Sequence, residues 1–125
     1  MEAREFRFVA FARDFGRTVE FYEGRLGLRR LEGWDRDDGK GVLLSAGGNA
    51  VVEVLGAAGD GIDPSRLAAA GVMLALEVEN ADEWYERLLG AGVECSPLED
   101  RPWGHRDFST VDPDGVVVAI YHVIA

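Results

Sequence analysis

Cysteine is almost missing from this chain: Cys95 is the single thiol. No disulfide can close within the chain and no cysteine-based zinc site can be built, which suits a reducing compartment. Lysine is also scarce. Twelve of the thirteen basic residues are arginine, and Lys40 is the exception; arginine is the side chain suited to forked pairing with carboxylates. Bases are in deficit overall, 13 against 23 acids, and the net charge of −10 repels phosphates. That argues against a nucleic-acid partner and against a membrane partner, and leaves cationic small molecules as compatible ligands. Long apolar runs are lacking too. The most apolar stretch, 116–125, is half the length a bilayer span needs, and His122 interrupts it. Glu2, Arg4, Glu5 and Arg7 deny the N-terminus a signal-peptide core. The expected location is therefore cytoplasmic. No nucleophile elbow, phosphate loop or dinucleotide fingerprint occurs, and Gly39-Lys40-Gly41 is a turn with no helix after it.

What is present is enough for one ordinary domain. The 125 residues are 47% hydrophobic and 29% charged, a composition that folds and stays dissolved. Residues 6–11 have strand composition. Asp14 can cap a helix carrying Phe15, Val19, Tyr22 and Leu26, and Gly27 ends it. Strands are predicted at 28–34, 41–46 and 50–55, with turns at 37–40 and 47–49. Residues 56–71 read as a connector, with a possible helix start at Asp63-Pro64-Ser65. The order then repeats. Residues 72–78 alternate as a half-buried strand does. Asn80 with Glu83 resembles a capping box and opens a helix at 81–91. Strands are predicted at 93–98, 105–111 and 116–124, the last two joined by the turn Asp112-Pro113-Asp114-Gly115. Phe21-Tyr22-Glu23 with Leu26-Gly27 parallels Trp84-Tyr85-Glu86 with Leu89-Gly90 at a spacing of 63, while the flanking strands match better at 66. Module one covers about 3–55 and module two about 72–124, within a single domain of residues 1–125.

Two signatures carry a family resemblance. One runs from Asp14 through Thr18 to Phe21-Tyr22 and on to Leu26-Gly27-Leu28. The other runs from Phe108 through Asp112-Pro113-Asp114-Gly115 into a last apolar strand. Together they resemble the vicinal oxygen chelate superfamily of glyoxalases, extradiol dioxygenases and bleomycin-resistance proteins. Residues 102–108, Pro-Trp-Gly-His-Arg-Asp-Phe, add likeness to the bleomycin-resistance branch. The resemblance implies an α+β fold of two paired βαβββ modules, a cupped mixed sheet with helices on its outer face. It also implies that metal-dependent members take four ligands from the first and last strands of each module. By strand position those sites here are Arg7, Glu53, Met73 and Ala119, and the 66-residue repeat pairs them the same way. Only Glu53 is a ligand for a hard divalent cation.

The expected protein has no metal, no cofactor and no catalytic residue. It binds an amphipathic or cationic small molecule in a cleft at a homodimer interface. Arg7 and Glu53 are expected either to pair across the floor of the cup or to face solvent separately. Trp34 and Trp103 either flank the ligand at the lip of the cleft or pack at the dimer interface. Phe11, Phe108 and Tyr121 are assigned by strand parity to the cup lining, and Arg106 joins the ligand-binding set from the 102–108 segment. His105 and His122 carry little metal signal, and Cys95 reads as a structural thiol. Two alternatives stand beside this reading: a metal-dependent lyase, isomerase or dioxygenase, and a non-catalytic protein-interaction module.

Overall fold

In the computed structural model, which describes residues 1–2, 4–37, 39–56 and 72–124, the chain divides into two compact units, Met1–Ala68 and Ala69–Ala125. The first unit holds β1 (Phe6–Ala12), α1 (Phe15–Val19) with a π-helical continuation over Glu20–Arg25, β2 (Arg29–Arg36), β3 (Gly39–Gly47) and β4 (Ala50–Gly56). The second holds β5 (Met73–Glu77), α2 (Ala81–Gly90), β6 (Glu99–Asp100), β7 (His105–Val111) and β8 (Val117–Val123). Each unit is a four-stranded mixed sheet, ordered β1-β4-β3-β2 in one and β5-β8-β7-β6 in the other. The first and last strands of each unit run parallel and the other neighbours antiparallel. This is the α+β class with two βαβββ modules. The expected helix start at 63–65 lies outside the described residues.

The helices begin where side-chain caps allow. Asp14 accepts a hydrogen bond from the Arg17 amide, and Asn80 accepts from the amides of Asp82 and Glu83. Each cap satisfies donors that the first turn leaves orphaned. The first helix then widens. The Leu26 amide reaches back five residues to the Phe21 carbonyl at 2.9 Å, and Phe21 and Tyr22 both end up buried, ring edge to ring face at 5.0 Å. Gly27 leaves the helix at φ 71°, a conformation open to glycine.

Both sheets bury one face against their own helix. In the first unit Ala10, Ala12, Val42, Leu44, Val52 and Val54 join Val19, Phe21, Tyr22 and Leu26 in the core. In the second, Leu88, Phe108, Val118 and Ile120 are buried. The register repeats with the sequence: Val9 pairs with Glu53 and Leu43 with Glu53, and sixty-six residues on Ala75 pairs with Ala119 and Ser109 with Ala119.

Residues 93–98 depart from the strand predicted there. They run beside β7 without a regular ladder. Ser96 donates its amide to the Ser109 carbonyl and accepts the Ser109 amide on its hydroxyl, while the Thr110 hydroxyl donates to the Glu94 carbonyl. Pro97 brings no amide to a ladder, so side chains replace it, and pairing resumes only at Glu99 and Asp100.

Candidate functional site

The sheet face turned away from the helix in the first unit is organised in rows across the strands. Arg7 lines up with Val51, Ser45 and Arg29; Val9 with Glu53, Leu43 and Glu32; Phe11 with Leu55, Gly41 and Trp34. Successive rows lie about 7 Å apart, two residues along a strand. One end of the face is therefore charged and the other aromatic. The Trp34 indole lies where a side chain at Gly41 would stand, so glycine at 41 lets the ring lie down on the sheet. The Arg36 guanidinium covers that ring at 5.7 Å from its centroid.

At the charged end, Arg7 Nη1 donates to Glu53 Oε1 at 3.3 Å, and Arg7 Nε donates to Glu5 Oε1 at 2.8 Å. The hydrogen bond to Glu5, then that to Glu53, raises the guanidinium pKa above its ordinary value. Glu5 was not foreseen. The signal for it was local: Glu5 and Arg7 are two apart in an extended segment and so face the same way. The Arg7 side chain is 36% exposed and Glu53 is 16% exposed, so water reaches this pair.

In the second unit the corresponding face carries Tyr121, whose ring stacks on His105 at 4.2 Å. Two residues of the expected ligand-binding set point the other way. Phe108 pairs with Ile120, is 1% exposed and packs edge-on against Tyr85 of α2 at 5.3 Å. It is core, because its parity is opposite to that of Tyr121. Arg106 pairs with His122. Its Nε donates to Asp100 at 2.6 Å and its Nη1 to Asp82 at 3.2 Å; Asp100 and then Asp82 raise its pKa. Arg106 therefore ties β6 and β7 to the first turn of α2. Trp103 stands in the turn at 102–104, 65% exposed. Thus the first unit brings Arg7, Phe11, Trp34 and Glu53 together on one face, and the second contributes Tyr121 on its equivalent face.

His122 has a structural role. Its Nδ1 accepts the Ala81 amide at 2.8 Å, so the ring is the Nε2–H tautomer and the helix start gains a second acceptor. Burial pushes the Cys95 thiol pKa up, which disfavours a nucleophilic thiolate.

Register, helix placement and the 66-residue repeat agree with one superfamily, and the whole-sequence match decides it. The profile of the Glyoxalase/Bleomycin resistance protein/Dioxygenase superfamily matches residues 6–120. The chain belongs to that superfamily. A relative is the uncharacterized protein YraH of Bacillus subtilis (strain 168), 27% identical over 119 residues that span 89% of this chain and 91% of YraH. Among solved structures, TnmS3, an antibiotic binding protein from Streptomyces sp. CB03234, aligns with TM-score 0.77 at 20% identity, covering 98% of this chain and 97% of TnmS3. TioX from Micromonospora sp. ML1 aligns with TM-score 0.75 at 23% identity, covering 98% of this chain and all of TioX (100%). These two likenesses are of fold.

Metal-dependent members of the superfamily raise the question of a metal here. At the four strand positions, Arg7 and Glu53 hold each other in the first unit, and Met73 and Ala119 supply no oxygen or nitrogen donor in the second. A guanidinium already bound to two carboxylates repels a cation. The donor set does not fit a divalent metal, and among the described residues no three His, Cys, Asp or Glu side chains come together as ligands.

Among the described residues, no helix is long and apolar enough to cross a membrane.

Proposed function

We propose that this superfamily member is a metal-free binding protein for an amphipathic, aromatic or cationic small molecule, of the bleomycin-resistance type. The observation that carries this reading is the sheet face of the first unit. It places the Arg7–Glu53 pair at one end and the Phe11–Leu55–Gly41–Trp34 row at the other. An apolar ring system seated on the row and a polar or cationic group at Glu53 would use both ends at once. The acidic net charge favours a cationic ligand. The description of TnmS3 as an antibiotic binding protein supports the same class of ligand. The two units are proposed to act as one domain in a cytoplasmic homodimer, with Tyr121 and Trp103 also available to the ligand cleft.

A thermal-shift screen with amphipathic aromatic antibiotics, run beside elemental analysis, tests this reading. A saturable rise in melting temperature is expected, lost in Glu53→Gln with Trp34→Ala, with no stoichiometric metal and no effect of EDTA. About one bound Zn, Ni, Fe or Mn per chain would overturn it in favour of an enzyme.

A further inference from the structure

The other side of the β2–β3 hairpin carries a second concavity. It is an open groove of about 460 Å³ lined by Phe15, Arg30, Gly33, Trp34, Asp35, Lys40, Gly41 and Val42. Gly33 pairs with Val42, Asp35 with Lys40 and Arg30 with Leu44, and Val42 and Leu44 are buried toward the helix. The groove therefore opens on the helix-facing side of the sheet, the reverse of the Arg7 and Glu53 face. Its floor is the missing side chain of Gly33 over buried Val42. Its wall is the Phe15 ring, with Lys40 Nζ 5.2 Å from the ring centroid.

Two donor groups at this groove have no carboxylate partner among the described residues. Arg30 binds Glu23 through Nε and Nη2, both at 2.8 Å. Its Nη1 is the near neighbour of Gly33, 3.4 Å from where a Cβ on that residue would lie. Lys40 forms no ion pair with a described carboxylate; its Nζ lies over the Phe15 ring. A cation over the face of an aromatic ring, a second donor nitrogen beside a bare glycine and an apolar floor together match a flat anion. The volume falls in the range of small-molecule sites.

We propose that this groove binds a small planar aromatic carboxylate. Its ring lies over Gly33 against Phe15, and its carboxylate lies between Lys40 Nζ and Arg30 Nη1. Asp35, at the same groove, opposes a second negative charge, so monoanions are preferred. The site is separate from the ligand face proposed above, and its ligand has the opposite charge.

Amide chemical-shift mapping of the full chain with 2-naphthoate tests this, with 2-naphthylmethylammonium as the charge-reversed control. Shifts are expected at 15, 30–35 and 40–42 with naphthoate and not with the ammonium compound. Gly33 has an extended backbone and only ordinary contacts around a built Cβ, so Gly33→Leu should fill the groove, keep the fold and abolish the shifts. Lys40→Gln should weaken binding about tenfold, the loss of one charge-assisted contact. Should Gly33→Leu unfold, exposed Lys40 still decides the matter. Equal binding of acid and amine, undiminished binding by Lys40→Gln, or naphthoate shifts centred on Arg7 and Glu53 would each overturn the groove. Failure of the antibiotic screen leaves this result untouched, because Phe15, Arg30, Gly33 and Lys40, which report on the groove, lie outside the ligand face.

Discussion

Arg7 is held by two carboxylates, and the nearer is Glu5, at 2.7 Å from Nη2. Removing Glu53 therefore leaves the guanidinium with a partner and with water. A double-mutant cycle on Arg7 and Glu53 is expected to show a small coupling that fades as salt rises, because exposed pairs are screened. A large, salt-insensitive coupling would place the pair in a dry site. His122 is different in kind. Its ring accepts the amide of Ala81, a residue with no exposed surface. Substituting phenylalanine leaves that buried N–H without an acceptor, so His122→Phe should lower stability by about 1–3 kcal/mol in urea unfolding. His122→Asn or His122→Gln, which can still accept, should recover part of the loss.

At the scale of elements, caps and turns decide where helices and hairpins begin. Asn80→Ala should cost about 1 kcal/mol, the usual worth of an N-cap. Asp112 accepts the amides of Asp114 and Val116 in the β7–β8 turn and is 4% exposed. Gly115 completes that turn at φ 91°. Ion pairs join elements as well. Glu23 and Arg30 tie the π-helical segment to β2, and Asp100 and Arg106 tie β6 to β7. The hydrogen bond from arginine holds each carboxyl below its ordinary pKa. A carboxyl depressed in the folded state binds fewer protons there than in the unfolded chain. Its stabilisation is therefore fully present above the unfolded value, around pH 4, and is lost as pH falls through the lower folded value. Unfolding midpoints should thus drop below about pH 4 and flatten above it. Because these pairs are more than a third exposed on at least one side, the drop should be modest and smaller still in high salt. Glu23→Gln should reduce the acid slope.

For the whole molecule, the eight short strands among the described residues form two open sheets that leave edges and apolar side chains at the surface. Phe6, Val72, Met73, Val111 and Val123 are each more than half exposed. A second copy is the partner proposed for this surface, since pairing removes open edges and exposed apolar area together. Sedimentation velocity at micromolar concentration should show a species of twice the 13.6 kDa chain mass. A 13.6 kDa species alone would reject the dimer. The interface is expected to bury more than about 1,000 Å² in total, the usual floor for a specific contact.

The two βαβββ modules were legible in the residues because their signals are local: alternation in strands, Asp14 and Asn80 as caps, glycine and Asp-Pro turns, all repeated at a fixed spacing. So was the poor metal donor set, since arginine, methionine and alanine keep their chemistry wherever the chain takes them. Facing direction was less secure. A one-residue difference in parity moves a side chain to the opposite face of a sheet, and Phe108 proves to lie on the helix side for that reason. The irregular path of 93–98 follows from Ser96 and Thr110 bonding to backbone across the chain, which no periodicity records. Tertiary structure alone decided that His122 starts a helix and that Gly33 opens a groove. Each depends on contacts between residues far apart in sequence or on the space beside a strand, and composition and spacing carry neither.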